Sequence, residues 1–256
     1  MVGPAFAVGL IVSAIHAPLG IEVLKRGIVF IDLATAQIIG LALVLLVLVF
    51  DEPSWPVRQI ASFGAGIGVA LFFRWIERVM PEEQEAVIGS SFILAASLAL
   101  LALANDPHGG EALRHLLSGQ ILFVSWGDIA AFLPVYGLVA LIWIAVPRAR
   151  SGVGFFVLFA LAITASVQLV GVYMVFASLI LPALAARAGS GYALRRAFAS
   201  AAVAVVAGVS ISTVADLPAG PFLVVCFGVS AVATRLLCRR KEPSGGEDDP
   251  HPTALA

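Results

Sequence analysis

The sequence predicts an all-α integral membrane protein, a polytopic bundle of about eight or nine transmembrane helices. Of its 256 residues, 61% are hydrophobic and only 12% are charged, and the mean hydropathy is +1.04. A soluble domain of this size needs more polar surface. The apolar runs are continuous for roughly 15 to 20 residues and do not alternate as the strands of a membrane barrel do, so the spans are predicted to be helices.

The longest apolar run, residues 153–187, is the centre of this prediction. It exceeds the roughly 20 residues that one helix needs to cross a bilayer, so it predicts a helical hairpin that turns near Gly171. Gln168 and Pro182 are expected at hydrocarbon depth. The other helices are expected to pack around this pair.

Nine candidate spans follow one another along the chain. Their predicted ranges are 3–19, 28–50, 57–73, 86–104, 127–146, 153–170, 172–187, 195–215 and 219–238. Basic residues near span ends stay in the cytoplasm, and an outer amino terminus places all but Arg58 and Arg114 of the 15 Lys and Arg residues inside. We therefore expect a multi-pass protein of the cell inner membrane with a cytoplasmic carboxyl terminus.

The two ends of the chain carry separate expectations. The amino-terminal segment has no basic leader and is expected to be a retained first helix. Residues 1–238 are expected to form the transmembrane domain. Residues 239–256 are rich in Pro, Gly and acidic residues, which predicts a disordered cytoplasmic tail.

Two loops carry most of the remaining polar sequence. The inner loop, residues 74–85, contains Pro81 and predicts a short surface helix, a break, and an acidic first turn of the next span. It is either a contact for a cytoplasmic partner or a solvated loop. The outer segment, residues 105–126, has turn residues followed by an amphipathic helix at the membrane interface.

His16 and Asp32 are candidate functional residues because ionisable groups inside membrane spans are costly. His16 is predicted near the inner end of the first span, and Asp32 near the start of the second. Since a short basic loop joins these spans, the two side chains are expected at similar depth, as a pair or as ligands of a divalent metal. The structural alternatives are an interfacial histidine hydrogen-bonded to backbone, and a carboxylate paired with Lys25 or Arg26.

Further candidates lie on the outer side. Asp216 precedes Pro218 and is either a helix cap or a carboxylate at the mouth of a cation path. His108, Glu111 and His115 form an H-x-x-E-x-x-x-H pattern, of which only the last two share a helical face.

No catalytic or nucleotide-binding motif is present. The chain lacks the G-x-x-x-x-G-K-[ST] loop, so any ATP is expected to be hydrolysed by a separate subunit, and the chain itself is not expected to be an enzyme or to bind a cofactor covalently. The net charge of -1 gives no indication of a nucleic-acid partner. Cys226 and Cys238 are too far apart along one segment to form a disulfide and are expected to be packing residues.

Several segments resemble the membrane permease of zinc and manganese ABC importers. They are PLGIEVLKRGIVFIDLATAQ at residues 18–37, EAVIGSSFILA at 85–95, SVQLVGVYMVFASLILPALAA at 166–186, and ADLPAGP at 215–221. The outer HGGEALRHLLSGQILFVSW, at 108–126, is similar to a zinc or manganese subgroup. The resemblance implies a type II ABC importer-like fold, a homodimeric pore, a cytoplasmic ATPase dimer, and an extracytoplasmic metal-binding protein that docks outside.

Two features depart from that family's pattern. Many members place a histidine four residues after an aspartate like Asp32, whereas this chain has Ala36, with Gln37 about 100° further round the helix. His16 is the candidate replacement donor. The family also places a dozen or more residues, including a coupling helix for the ATPase, where this chain has only VPRARSGVG at 146–154. Either another inner loop, 74–85 or 187–196, makes that contact, or the chain is uncoupled.

The expected function is the permease subunit of an ATP-driven importer of zinc or manganese. The candidate metal residues are Asp32, His16 and Asp216, and additionally Gln37, His108, Glu111 and His115. One alternative is a permease for a metal chelate or cofactor from the related superfamily. The other is an uncoupled membrane sensor or assembly protein.

Overall fold

The computed structural model is a bundle of α-helices, as predicted. It describes residues 2–50, 53–104, 121–186 and 192–239, and these residues contain no strand. The helices of this part are α1 (Gly3–Arg26), α2 (Ile31–Phe50), α3 (Trp55–Val79), α4 (Gln84–Ala102), α5 (Trp126–Ala145), α6 (Gly152–Val170), α7 (Val172–Ala186), α8 (Ala193–Val214) and α9 (Ala219–Arg239). All except α7, which has 15 residues, are long and apolar enough to cross a membrane.

The first helix is longer than predicted. It continues through Pro18 and ends at Arg26, because one proline removes a single backbone donor, and neighbouring helices can support the chain around it. The helix ends at Gly27, whose φ of 73° is left-handed and easily adopted by glycine. The backbone N–H of Ile28 donates to the carbonyl of Val23 (3.4 Å) across this end.

The predicted hairpin is confirmed. Gly171, with φ 81°, is the single residue between α6 and α7. Gln168 does not stay unpaired, because its side chain accepts a hydrogen bond from Gln59 of α3 (2.9 Å) and donates to the carbonyl of Thr164 (3.1 Å). Most of α6 is buried, so this helix forms the centre of the bundle.

Basic residues gather at one end of the bundle, which we call the basic end. Arg26, at the end of α1, donates to Glu77 of α3 (3.1 Å) and to the carbonyl of Arg150 (3.0 Å). Arg150 belongs to a single 3-10 turn, Pro147–Arg150, that connects α5 to α6. The ends of α1, α3 and α5 and the start of α6 therefore meet here.

The last three helices reach the same end. Ala17, Ala186 and Ala197 pack together, which places the end of α7 and the start of α8 beside the second half of α1. Arg235, near the end of α9, donates to the carbonyl of Leu184 (3.3 Å). The helices thus alternate in direction, as the distribution of basic residues predicts.

Two loop predictions change in the structure. Residues 74–85 do not form a separate surface helix, since α3 continues to Val79 and closes with a hydrogen bond from the Met80 N–H to the carbonyl of Ile76 (2.8 Å). The acidic first turn of α4 is confirmed, with Glu85 in it. Most of the predicted outer amphipathic segment and of the tail, residues 105–120 and 240–256, lies outside the described residues.

Helices α1 and α7 cross at backbone contact. A Cβ atom added at Gly20 would overlap the carbonyl oxygen of Leu179, and it would meet the Cβ of Ala183 at 3.2 Å. Only glycine allows the two backbones to approach this closely. The contact packs the hairpin of α6 and α7 against α1.

Candidate functional site

Asp32 has the least satisfied polar side chain in the described part of the protein. It is the second residue of α2 and is 1% exposed. Neither carboxylate oxygen has a hydrogen-bond partner of normal geometry, although the backbone N–H groups of Asp32 itself and of Leu33 lie beside the carboxylate. No other described side chain has two such atoms. Since a buried carboxylate without partners is costly in a membrane protein, this group calls for a cation or a proton.

The neighbouring basic residues do not neutralise Asp32. Lys25 lies 4.0 Å from Glu22, and Arg26 pairs with Glu22 and Glu77 at 3.1 Å each. The alternative of an ion pair between Asp32 and one of these two basic residues is therefore wrong.

Glu85 approaches Asp32 from α4. Its Oε1 accepts a hydrogen bond from the backbone N–H of Phe30 (3.2 Å), two residues before Asp32. Its Oε2 is buried without a partner. From the sequence, Glu85 is only an acidic residue in the first turn of a helix. The signal that could have singled it out is the resemblance of residues 85–95 to the zinc and manganese permeases.

His16 occupies a different place. It is fully buried in the middle of α1, ten residues from the helix end at Arg26, or about 15 Å along the axis. Asp32 lies in the first turn of α2. The expectation that the two side chains share a depth is wrong because α1 is longer than predicted, and within the described residues no hydrogen bond or ion pair joins them.

Two hydroxyl groups contact the His16 ring, and a third hydroxyl group contacts one of them. Its Nδ1 lies 2.8 Å from Ser178 Oγ of α7, and its Nε2 lies 3.0 Å from Ser166 Oγ of α6. Ser166 Oγ also lies 2.9 Å from the hydroxyl of Tyr136, on α5. Sequence reasoning missed both partners of His16 and the contact with Tyr136.

The direction of these hydrogen bonds follows from one contact. Ser178 donates to the carbonyl of Val175 (3.0 Å), so it accepts from His16 Nδ1–H. His16 Nε2 then accepts from Ser166, and Ser166 accepts from Tyr136. Every proton in this series of hydrogen bonds has an acceptor. The His16 imidazole is therefore neutral and carries its hydrogen on Nδ1. Its only lone pair suitable for a metal is used by Ser166.

No second ligand on α2 shares the face of Asp32. Ala36 is fully buried and carries only a methyl group, and Gln37 is 3% exposed. Gln37 lies about 140° round the helix from Asp32 at 100° per residue.

Asp216 ends a helix and does not start one. Its φ is 52°, a left-handed conformation that Asp tolerates better than most residues. The Leu217 N–H donates to the carbonyl of Ser212 (2.9 Å) across it, which closes α8. The interpretation of Asp216 as a cap for the following span is therefore wrong. Its side chain is exposed.

Few metal-binding side chains cluster elsewhere. In residues 2–50, 53–104, 121–186 and 192–239 no group of three or more His, Cys, Asp or Glu residues could hold a metal. His108, Glu111 and His115 lie outside these ranges. Cys226 and Cys238 are free cysteines, as expected.

The Pro147–Arg150 turn is fixed in place by its contacts. Besides the bond from Arg26 to its carbonyl, Arg150 donates from Nε to the carbonyl of Trp143 (2.8 Å). Ser151 Oγ donates to the carbonyl of Arg148 (3.1 Å). The prediction that no α-helix fits in residues 146–154 agrees with this single turn.

Comparisons with known proteins identify a family. A family model described as the ABC 3 transport family matches residues 1–150 and 145–237. The solved structure of PsaBC from Streptococcus pneumoniae in complex with Fab contains a chain with a TM-score of 0.69 and 19% identity, which covers 93% of this chain and 94% of that chain. The two therefore share a fold. No curated protein matches this sequence.

Proposed function

Because the chain belongs to the ABC 3 transport family, we propose that it is the permease subunit of an ATP-driven importer for divalent metal ions, zinc or manganese. The observation that carries the choice of metal ions is Asp32, a fully buried carboxylate with two unpartnered oxygens in a membrane-spanning helix. A transported cation that passes this point would supply the missing positive charge.

The proposal includes several partners. A cytoplasmic ATPase subunit hydrolyses ATP, an extracytoplasmic metal-binding protein delivers the ion, and a second copy of the chain completes the pore. The basic end is placed in the cytoplasm by the positive-inside rule, with the amino terminus outside. The alternation of the helices supports this orientation, since it gathers Arg26, Arg150 and Arg235 at one end.

The other candidate residues receive more limited roles. His16 can act as a path residue only in a state in which Ser166 releases its Nε2, because that lone pair is otherwise used. Asp216 is proposed as an exposed carboxylate at the outer mouth. Gln37, His108, Glu111 and His115 remain further candidates for contact with the ion.

Metal uptake by cells that express the chain with its ATPase tests the proposal. We expect Asp32→Asn to lower the uptake of radioactive zinc or manganese by about tenfold or more, because the substitution removes a buried ligand charge without changing the side-chain volume. Asp128→Asn is the matched control. Asp128 is exposed and its cap to Ser125 needs only an acceptor oxygen, which Asn retains. Uptake of both metals at the wild-type rate by Asp32→Asn would exclude Asp32 from the metal path, and the absence of metal uptake by the wild type would refute the proposed function.

One observation favours a second function, an uncoupled sensor or assembly protein. The two parts of the family match meet at residues 145–150, which is the position of the Pro147–Arg150 turn. The break in the family pattern thus coincides with the connection that is too short for a coupling helix. Copurification of the chain with the ATPase in detergent separates the two functions, because only a transporting permease needs a stable complex.

A further inference from the structure

We propose that Glu85 is the second ligand of the metal site, so that Asp32 and Glu85 hold the divalent cation between α2 and α4 with oxygen atoms alone. This inference rests on the proposed function for the identity of the ion as cargo. It replaces His16 as the partner of Asp32.

The backbone holds Glu85 in position. The carboxylate oxygen Oε1 accepts from the Phe30 N–H at 3.2 Å, at the start of the helix that carries Asp32. This hydrogen bond joins the first turn of α4 to the start of α2. Asp32 and Glu85 therefore lie at the same level, at the basic end of the bundle. The second oxygen, Oε2, is left buried and without a partner.

The two carboxyl groups together have three buried oxygens without donors: both of Asp32 and one of Glu85. Lys25 and Arg26, the basic residues that precede Asp32 in the chain, are occupied by Glu22 and Glu77. A divalent ion between Asp32 and Glu85 would satisfy all three oxygens at once. No basic residue in the described part of the chain neutralises these two acidic groups, and the backbone hydrogen bond from Phe30 to Glu85 offsets the cost of burying them only in part.

The same surroundings exclude nitrogen ligands from the described part of the site. The position one turn after Asp32 is Ala36, and the lone pair of His16 is used by Ser166. Carboxylate, carbonyl and water oxygens suit manganese and magnesium better than softer ions. The donor set therefore points to manganese as the cation for which this site is built.

Binding of Mn²⁺ alone to the purified full-length protein in detergent tests the inference. The six-line electron paramagnetic resonance signal of free Mn²⁺ disappears on binding and gives the affinity. We expect Glu85→Gln and Asp32→Asn each to weaken binding by about tenfold or more. The amide of Glu85→Gln still accepts from the Phe30 N–H, so the variant retains the helix contact. Glu83→Gln, two residues earlier and exposed, is the matched control and should bind as wild type.

Pulsed paramagnetic resonance of the bound Mn²⁺ identifies the ligand atoms. We expect no nitrogen coupling from an imidazole in the wild-type protein. A nitrogen coupling that disappears in His16→Ala would overturn the inference, as would wild-type affinity in Glu85→Gln. Elution at the wild-type volume on size-exclusion chromatography confirms that each variant is folded, and Glu85→Asp should bind more tightly than Glu85→Gln.

The outcomes separate this inference from the proposed function. If Asp32→Asn loses uptake and Mn²⁺ binding while Glu85→Gln retains both, Glu85 is not a ligand but the permease proposal stands. If wild-type cells import neither zinc nor manganese, the proposed function itself fails. If the wild-type protein binds no Mn²⁺ but imports zinc, protons neutralise the two carboxylates and the inference is wrong.

Discussion

His16 joins four helices through hydroxyl groups. Its ring lies on α1 and contacts Ser166 on α6 and Ser178 on α7, and Tyr136 on α5 completes the chain of hydrogen bonds. Hydrogen bonds between membrane helices contribute about 0.6 kcal/mol each on average. These hydrogen bonds matter mainly for their position, since they connect the hairpin of α6 and α7 to the first helix.

The tyrosine at the end of this chain can be tested alone. We expect Tyr136→Phe to lower the free energy of unfolding by about 0.5 to 1.5 kcal/mol, because Ser166 loses one donor. His16→Ala should cost about 2 kcal/mol or more, since Ser166 loses its acceptor, Ser178 loses its donor, and a cavity remains. Unfolding in mixed micelles measures both. Tyr173→Phe, at a residue that is 47% exposed, should have no effect, and an equal loss at both tyrosines would contradict a specific contribution from the hydrogen bond between Tyr136 and Ser166.

At the scale of residues, the sequence predicts which titratable side chains are buried in the spans but not which side chains they contact. Asp32 and His16 stand out because charged and titratable side chains are rare in apolar spans. Ser166 and Ser178 are 150 and 162 residues from His16, and hydroxyl residues are ordinary in membrane helices. Only the folded arrangement shows which of them meet the ring. Glu85 was missed for a related reason, since a helix start already explains an acidic residue.

At the scale of elements, the crossing of α1 and α7 depends on one glycine. We expect Gly20→Ala to lower the free energy of unfolding by about 1 to 3 kcal/mol, because the new methyl group overlaps the carbonyl oxygen of Leu179. Gly68→Ala is the matched control. No atom lies within 4 Å of a Cβ at Gly68, so this variant should be neutral or slightly more stable, since alanine favours helix.

Thermal unfolding followed by tryptophan fluorescence compares the two glycine variants. The close crossing is refuted if Gly20→Ala unfolds at the same temperature as Gly68→Ala. A loss at Gly68 alone would instead place an unseen contact on the open face of α3.

The helices themselves were predictable, and their ends less so. Continuous apolar runs set the number and order of the spans, and Gly171 marked the turn of the hairpin. The ends of α1 and α3 were placed too early because Pro18 and the charged residues after Phe73 are typical of helix ends. Both helices continue past the apolar region, since Arg26 and Glu77 bond to each other beyond it.

At the scale of the whole molecule, Arg26 holds together the basic end. Its guanidinium contacts Glu22, Glu77 and the carbonyl of Arg150, and it lies 4.1 Å from the ring centre of Phe155. Lysine cannot reproduce this set, because its ammonium is not a planar fork with five donors. The short connection between α5 and α6 is therefore fixed to the ends of α1 and α3.

Limited proteolysis measures how firmly the turn is held. We expect Arg26→Ala to increase tryptic cleavage after Arg148 and Arg150 by roughly fivefold or more, because the turn opens more often when its carbonyl loses the guanidinium. Lys25→Ala removes a more exposed charge one residue away and should leave the rate unchanged. Equal rates in the wild type and Arg26→Ala would show that the turn is held by Trp143 alone.

The single residue between α6 and α7 also constrains how the protein is made. A ribosome delivers residues 152–186 to the membrane with no polar linker at which the translocon could stop between the helices. Helix α7 has 15 residues, about 22 Å in length, and is too short to span the hydrocarbon by itself. We therefore expect both helices to enter the lipid together, as one hairpin that turns at Gly171.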